Sequence, residues 1–268
     1  MSMITFQPAP GGAAFGVHGH AGHGEPRNTA EYFMKQRANF NLADAKLFEE
    51  SNPPHYSAKN SLLNGTPENQ TWPPIFAKFV HYREFPLPFP FSPLFVNDDF
   101  MIVLNGADPY TAVYPPHEEG RAGMSFVHLL VLPKEHIYNA VSLRATDIPL
   151  LNAMASGARA FVTGTANREF IASRIKAQLG RNAMFKDSLE MSELLEADIA
   201  AYVADDNAPN ELEFYFHVHP NHSVGYLHMH AIAGNMRAHS TTSHDNKNTP
   251  LDVVIDVLKE TDNMQTDM

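Results

Sequence analysis

The amino-acid sequence predicts an α+β domain, an antiparallel sheet with helices packed on one side. Three features carry that expectation. Leu94-Phe95-Val96 and Phe100-Met101-Ile102-Val103-Leu104 flank the turn Asn97-Asp98-Asp99, which is the composition of a β-hairpin. Between Leu143 and Thr163, apolar residues recur at helical spacing: Ile148, Leu151, Met154, Ala155, Ala158, Phe161 and Val162. Glu211 to His219 and Val224 to Ala233 then read as two more strands around a Pro220-Asn221 turn, followed by a last helix from Pro250 to Glu260.

Taken in order, residues 1–27 are rich in Gly, Pro and small residues and read as a mobile arm, whose His18, His20 and His23 have incidental affinity for transition metals. Ala30 to Phe40 looks helical, and Leu42 to Glu50 offers a second short helix. Residues 52–74 return to Pro, Asn, Ser and Gly and read as a wrapping segment. The domain pattern starts with a β-prone run, Ile75 to Val80, and a Pro-rich turn from Pro86 to Pro93 leads into the hairpin. A loop from Asn105 to Gly123 precedes a strong strand, Ser125 to Leu132, closed by Pro133. After the long helix, Arg168 to Leu179 continues or restarts helical structure, and residues 180–207 are helical or loop in character, with an acidic start near Ser188. The organisation expected is an arm with wrapping helices over 1–74, a catalytic domain over 75–260 and a polar tail over 261–268.

Composition excludes several classes. A chain of 268 residues without cysteine buries a sizeable core without staples, and any metal must be held by His and carboxylates. A formal charge of -11 argues against gripping long nucleic acid, which requires many cations against phosphates. No stretch approaches the roughly 18 apolar residues of a membrane helix, and no basic leader precedes an apolar run. The expectation is a cytoplasmic protein, or a nuclear one, with a small-molecule partner.

The 15 histidines are the unusual number. Alternate residues of a strand share a face, so Tyr226, His228 and His230 point one way while Leu227, Met229 and Ala231 point to the core. With His217, His219 and His222 close in sequence, these imidazoles suit two jobs. They can act as nucleophile and acid/base in phosphoryl transfer, or as ligands of a metal ion.

The stretch His222-Ser223-Val224-Gly225-Tyr226-Leu227-His228-Met229-His230 resembles the signature of histidine-triad nucleotide hydrolases and transferases, Gln-Ser/Thr-Val-x-His-φ-His-φ-His. His128-Leu129-Leu130-Val131-Leu132-Pro133-Lys134-Glu135-His136 is similar to that family's strand before a helix, and Ile75 through Asp99 resembles its opening strand and hairpin. The run from Phe216 to the terminal helix is most similar to the C-terminal domain of scavenger messenger-RNA decapping enzymes. Only about 70 residues precede the core pattern and Trp72 is the single tryptophan, so cap cleavage is not the favoured reaction.

The resemblance implies a histidine-triad-like fold, often a two-fold dimer, and a role for each matching residue. His228 stands where the family's nucleophile attacks the α-phosphate, His230 where its acid/base partner stands, and Ser223, His222, Asn105 and His128 where the substrate pocket is lined. Two positions depart from the pattern. Tyr226 replaces the first histidine and cannot become cationic near pH 7, though its hydroxyl can donate a hydrogen bond and, beside a metal held by the histidines, act as an acid/base; His222 replaces the phosphate-binding Gln. The leading expectation is therefore a hydrolase or transferase cleaving a phosphoanhydride or phosphoramidate bond of a small nucleotide-like substrate through His228, with no cofactor required. One alternative is a metal-dependent hydrolase or lyase in which His222, His228 and His230 hold a divalent metal for chemistry on a non-nucleotide molecule. The other is a ligand-binding protein that keeps the fold without the chemistry.

Overall fold

A computed structural model describes residues 28–41, 43, 92–110, 112, 114, 122–135, 137–219, 222, 226–236 and 248–266. The arm with His18, His20 and His23, the wrapping segment 52–74, the Ile75 to Val80 strand, His136 and Ser223 lie outside the described residues, as does all but Ala43 of the helix expected from Leu42.

Among the described residues the fold is α+β: a six-stranded antiparallel sheet with its helices on one side. Strands β1 (Phe95–Val96), β2 (Phe100–Leu104), β3 (His128–Pro133), β4 (Leu212–His217), β5 (Met229–Ala233) and β6 (Asn248–Pro250) lie in the order β1-β2-β3-β5-β4-β6. The hairpin forms because the Asn97 side chain accepts from the backbone N–H groups of Asp99 (3.0 Å) and Phe100 (2.8 Å), closing an Asx turn. β5 is inserted between β3 and β4, paired Leu130↔His230 on one edge and Tyr215↔His230 on the other.

Side-chain alternation divides the sheet into two chemically different faces. Ile102, Leu129, Val131, Met229, Ala231, Phe214 and Phe216 face the helices and join one hydrophobic core. The helices are α1 (Ala30–Asn39), α2 (Ile148–Thr163), α3 (Thr165–Leu179), α4 (Ala183–Asp187), α5 (Leu189–Ala204) and α6 (Leu251–Thr266). Leu151, Met154, Ala158 and Val162 make the buried stripe of α2, and Val254, Val257 and Leu258 that of α6. Gly157 lets α2 reach the sheet, since a Cβ there would overlap the Phe100 ring. The opposite face carries His128, His230 and His217 beside buried Leu130, Leu132 and Ile232.

Several boundaries differ from the sequence expectation for identifiable reasons. The long helix begins at Ile148, because Ala140–Ser142 and Ala145–Asp147 are 3-10 turns, the first capped by Asn139. Pro133 closes β3 from inside the strand, and His228 immediately precedes β5, so its side chain sits at the mouth of the sheet. α6 starts one residue after Pro250 and continues to Thr266, through the segment expected as a polar tail. α1 is no loose wrap: Tyr32 and Phe33 join the common core, and Arg37 donates to the Leu143 carbonyl at 2.6 Å. Thr29 caps this helix by accepting from the Tyr32 N–H.

Three helices are tied together by a buried cation. Arg168, 2% exposed, donates to the carbonyls of Val162, Thr163 and Val203 and to Thr165 Oγ1 and Asp206 Oδ1. Its guanidinium thereby satisfies carbonyls that the ends of α2 and α5 would otherwise leave without intrahelical partners.

Candidate active site

Three neighbouring strands bring their histidines to the face away from the helices. His128 comes from β3, His230 from β5 and His217 from β4, and extending the Tyr215↔His230 register by two residues sets His217 across from His228. The His230 ring is central, with centroids 5.1 Å from His128, 4.9 Å from His228 and 4.3 Å from His217. His222 and His219 continue the cluster, 5.4 Å apart, with Tyr138 against both.

The loop geometry that holds these rings comes from elsewhere in the chain. Asn139 donates to the His217 carbonyl (3.1 Å) and accepts from the His219 N–H (3.0 Å), gripping the end of β4. The Leu227 N–H donates to the Ile137 carbonyl at 2.7 Å, which fixes the segment entering β5. Tyr226 anchors the same segment. Its side chain is fully buried and its hydroxyl donates to the Pro133 carbonyl at 2.7 Å, while burial raises its pKa further above the ordinary phenol value. The phenol is thus turned into a structural tie, and the acid/base role expected for Tyr226 finds no support in this geometry.

Hydrogen-bond partners that can only donate or only accept fix the tautomers. His228 Nδ1 lies 2.7 Å from the Tyr226 carbonyl, an acceptor, so Nδ1 carries the proton and the lone pair of the neutral ring is on Nε2. Burial lowers the His228 pKa to about 4, partly opposed by that carbonyl, so the ring is neutral at physiological pH. His128 Nδ1 receives the Met124 N–H (3.4 Å) and lies 2.8 Å from Asn105 Nδ2, so its proton is on Nε2. That N–H points at His230 Nδ1, 2.8 Å away, which leaves the His230 proton on Nε2. Asn105, His128 and His230 thus form a directed chain of donors. His217 Nε2 donates to Asn248 Oδ1 at 2.9 Å, and Asn248 Nδ2 turns to the Met124 sulfur. His222 is held well below the ordinary imidazole range by burial first, then by His219, His228 and His217.

The arrangement brings Asn105, His128, His222, His228 and His230 together. Asn105 and His128 also line a recess with Leu104, Pro109, Phe126 and Gln178. The metal alternative fares differently. Among the described residues no three His, Asp or Glu side chains form a group that could hold a metal ion. In this hydrogen-bonding arrangement His230 Nδ1 accepts from His128, which leaves its Nε2 protonated, while His228 keeps a lone pair on Nε2. From sequence His217 stood out only as a neighbour of the histidine strand, and Asn139 and Asn248 did not stand out at all. Period-2 alternation through Leu212, Phe214 and Phe216 carries the signal for His217; the two asparagines, distant in sequence, have none.

No protein-family model matches the chain, and no curated protein matches it. A solved structure described as "Hnt3 in complex with DNA and guanosine" aligns over 66% of this chain and 72% of its own, at 14% identity and a TM-score of 0.33. Among the described residues no helix is long and apolar enough to cross a membrane.

Proposed function

We propose that this chain is a histidine-triad-like hydrolase or transferase that cleaves a phosphoanhydride or phosphoramidate bond of a small nucleotide-like substrate, with His228 Nε2 as nucleophile. The observation that carries the reading is the His228 Nδ1–H bond to the Tyr226 carbonyl. It puts the lone pair on Nε2, orients the ring and stabilises the N–H as positive charge develops on the imidazole during attack. A neutral imidazole attacks phosphorus and also leaves it readily, so a covalent phosphohistidine can form and be resolved by water or another acceptor.

His230 supports this step as a donor. His128 holds its Nδ1, which puts the proton on Nε2, the atom that would donate to a phosphate oxygen on the same face, and Asn105 fixes the tautomer of His128 in turn. Asn105 and His128 act through His230 and are positioning residues. Ser223, on the resemblance, adds a hydroxyl donor, and His222 lines the pocket in neutral form.

The test is adduct trapping. A panel of dinucleotides and nucleoside phosphoramidates is mixed with the protein and quenched in base, where phosphohistidine survives, and the adduct is mapped by mass spectrometry. The expected result is an adenylyl or guanylyl group on His228, with His228→Ala folded but without turnover. No adduct and no turnover across the panel would overturn the reading.

A further inference from the structure

We propose that Phe40 and His219, backed by Tyr138 and His222, form the subsite for the leaving group, and that this group carries an aromatic ring. The proposal rests on the phosphohistidine reading and narrows its substrate class to nucleotide amidates or esters of aryl-bearing amines and alcohols.

The sheet register sets this cluster and the Asn105 recess at opposite ends of the reacting pair. His128 stands across from Ile232, so Asn105 and the recess lie toward the end of β5. The other end of β5 is different. There His217 comes across from His228, His219 follows just past the end of β4, and the Leu227 N–H bond to the Ile137 carbonyl brings Tyr138 beside the segment entering β5. His228 and His230 lie between the two ends. With the nucleoside on the Asn105 side, as the resemblance implies, and phosphorus at His228, the other substituent on phosphorus runs toward His219.

What it meets there is aromatic on every side that the cluster offers. Phe40, the residue that caps the C-terminus of α1, lies nearly parallel to Tyr138, with 13° between the planes and 5.7 Å between centroids. The same ring meets His219 edge to face, at 5.6 Å and 68°. Tyr138 and His222 are buried against each other, with centroids 5.3 Å apart, whereas Phe40 and His219 are half-buried and keep surface open. Two rings that meet near a right angle offer a planar guest one face to stack on and one edge to meet. The four side chains include no carboxylate, ammonium or guanidinium, so the cluster rewards area and ring stacking rather than a charged guest. An aliphatic group gains the area alone, and an aromatic one gains both. The rings are also held in advance, since Asn139 accepts from the His219 N–H while the Phe40 N–H donates to the Arg37 carbonyl, and Arg37 in turn is tied to Leu143.

The test compares kcat/KM for the adenosine 5′-phosphoramidates of 2-phenylethylamine and of ethylamine, whose P–N bonds are alike and which differ by a ring two carbons from nitrogen. The unmodified protein is expected to favour the phenylethyl amidate by roughly tenfold. Phe40→Leu keeps apolar bulk at the end of α1 but removes the ring, and is expected to cut that preference by roughly threefold or more, whereas Phe40→Trp keeps it. If Phe40→Leu does not fold, His219→Leu carries the same comparison. A preference absent from the unmodified protein, or unchanged in the folded leucine variants, overturns the subsite and leaves His228 standing as nucleophile. If neither amidate is turned over and neither leaves an adenylyl group on His228, the phosphohistidine reading falls and the subsite with it.

Discussion

Replacing Tyr226 with Phe removes one oxygen and separates two roles that the residue could have. In the structure the hydroxyl donates to the Pro133 carbonyl at 2.7 Å from a fully buried position. Phe fills the same space, so no cavity of consequence opens, and the loss is that of the hydrogen bond plus the desolvation of a carbonyl left without its donor. A buried acceptor stranded in this way costs about 1–3 kcal/mol. For a domain of this size a kcal/mol moves the thermal midpoint by roughly 2–4 °C, so the midpoint should fall by roughly 2–12 °C. Turnover at a temperature where the variant is folded should stay within about fivefold of the unmodified protein, because the Tyr226 backbone carbonyl that holds His228 Nδ1 is retained. Differential scanning calorimetry and initial rates on the same preparation check both halves. A loss of turnover beyond a hundredfold with an unchanged midpoint would refute the reasoning, since it would make the phenol a chemical participant rather than a tie between β3 and the segment entering β5.

Acid should destabilise the fold through the histidine cluster. His228 takes a proton in the folded chain only near pH 4, whereas an unfolded histidine titrates near its ordinary value, so the unfolded state binds more protons between those limits. Stability therefore rises with pH across that window and is lost as pH falls from about 6.5 towards 4, by an amount on the order of 3 kcal/mol from His228 alone, with His222 acting in the same direction. Urea midpoints measured from pH 7 to 4.5 should show the slope, and His228→Asn should flatten it; an equal slope in the variant would contradict the assignment. His128→Phe should leave the His230 ring without its fixed tautomer and lower turnover by roughly ten- to a hundredfold, with nitrogen chemical shifts of His230 reporting the loss of a single protonated Nε2. Arg168→Met should cost about 3–5 kcal/mol, because carbonyls of α2 and α5 lose their donor together, yet leave kcat/KM of the folded fraction unaltered.

Local patterning made most of the fold legible. The hairpin at Asn97 was readable because one side chain closes the turn, and α2 because its apolar stripe repeats every turn where it meets the sheet. Boundaries were less legible wherever a distant contact decides them. The start of α2 at Ile148 depends on Asn139 and Asp147 closing 3-10 turns ahead of it, and Pro250 pairs with Tyr215 as the end of a strand before α6 begins. The first is local but aperiodic turn chemistry, and the second partner lies too far away in sequence to leave a periodic trace.

The candidate site was legible as a set of residues and illegible as a set of directions. Alternation places Tyr226, His228 and His230 on one face, but which nitrogen each ring offers depends on atoms brought by other strands: the Tyr226 carbonyl for His228, Met124 and Asn105 for His128, Asn248 for His217. Those directions bear on both of the chemistries that the sequence left open. Metal binding asks several imidazoles to turn lone pairs toward one point, and here the His128 N–H is aimed at the His230 Nδ1 lone pair. Nucleophilic attack asks for one lone pair, on one neutral ring, with its other nitrogen donating to a carbonyl, and His228 meets each of those terms. The insertion of β5 between β3 and β4 is what makes this possible. A central strand receives imidazoles from both neighbours, so the tautomer of His230 is set from β3 while the ring of His217 approaches it from β4.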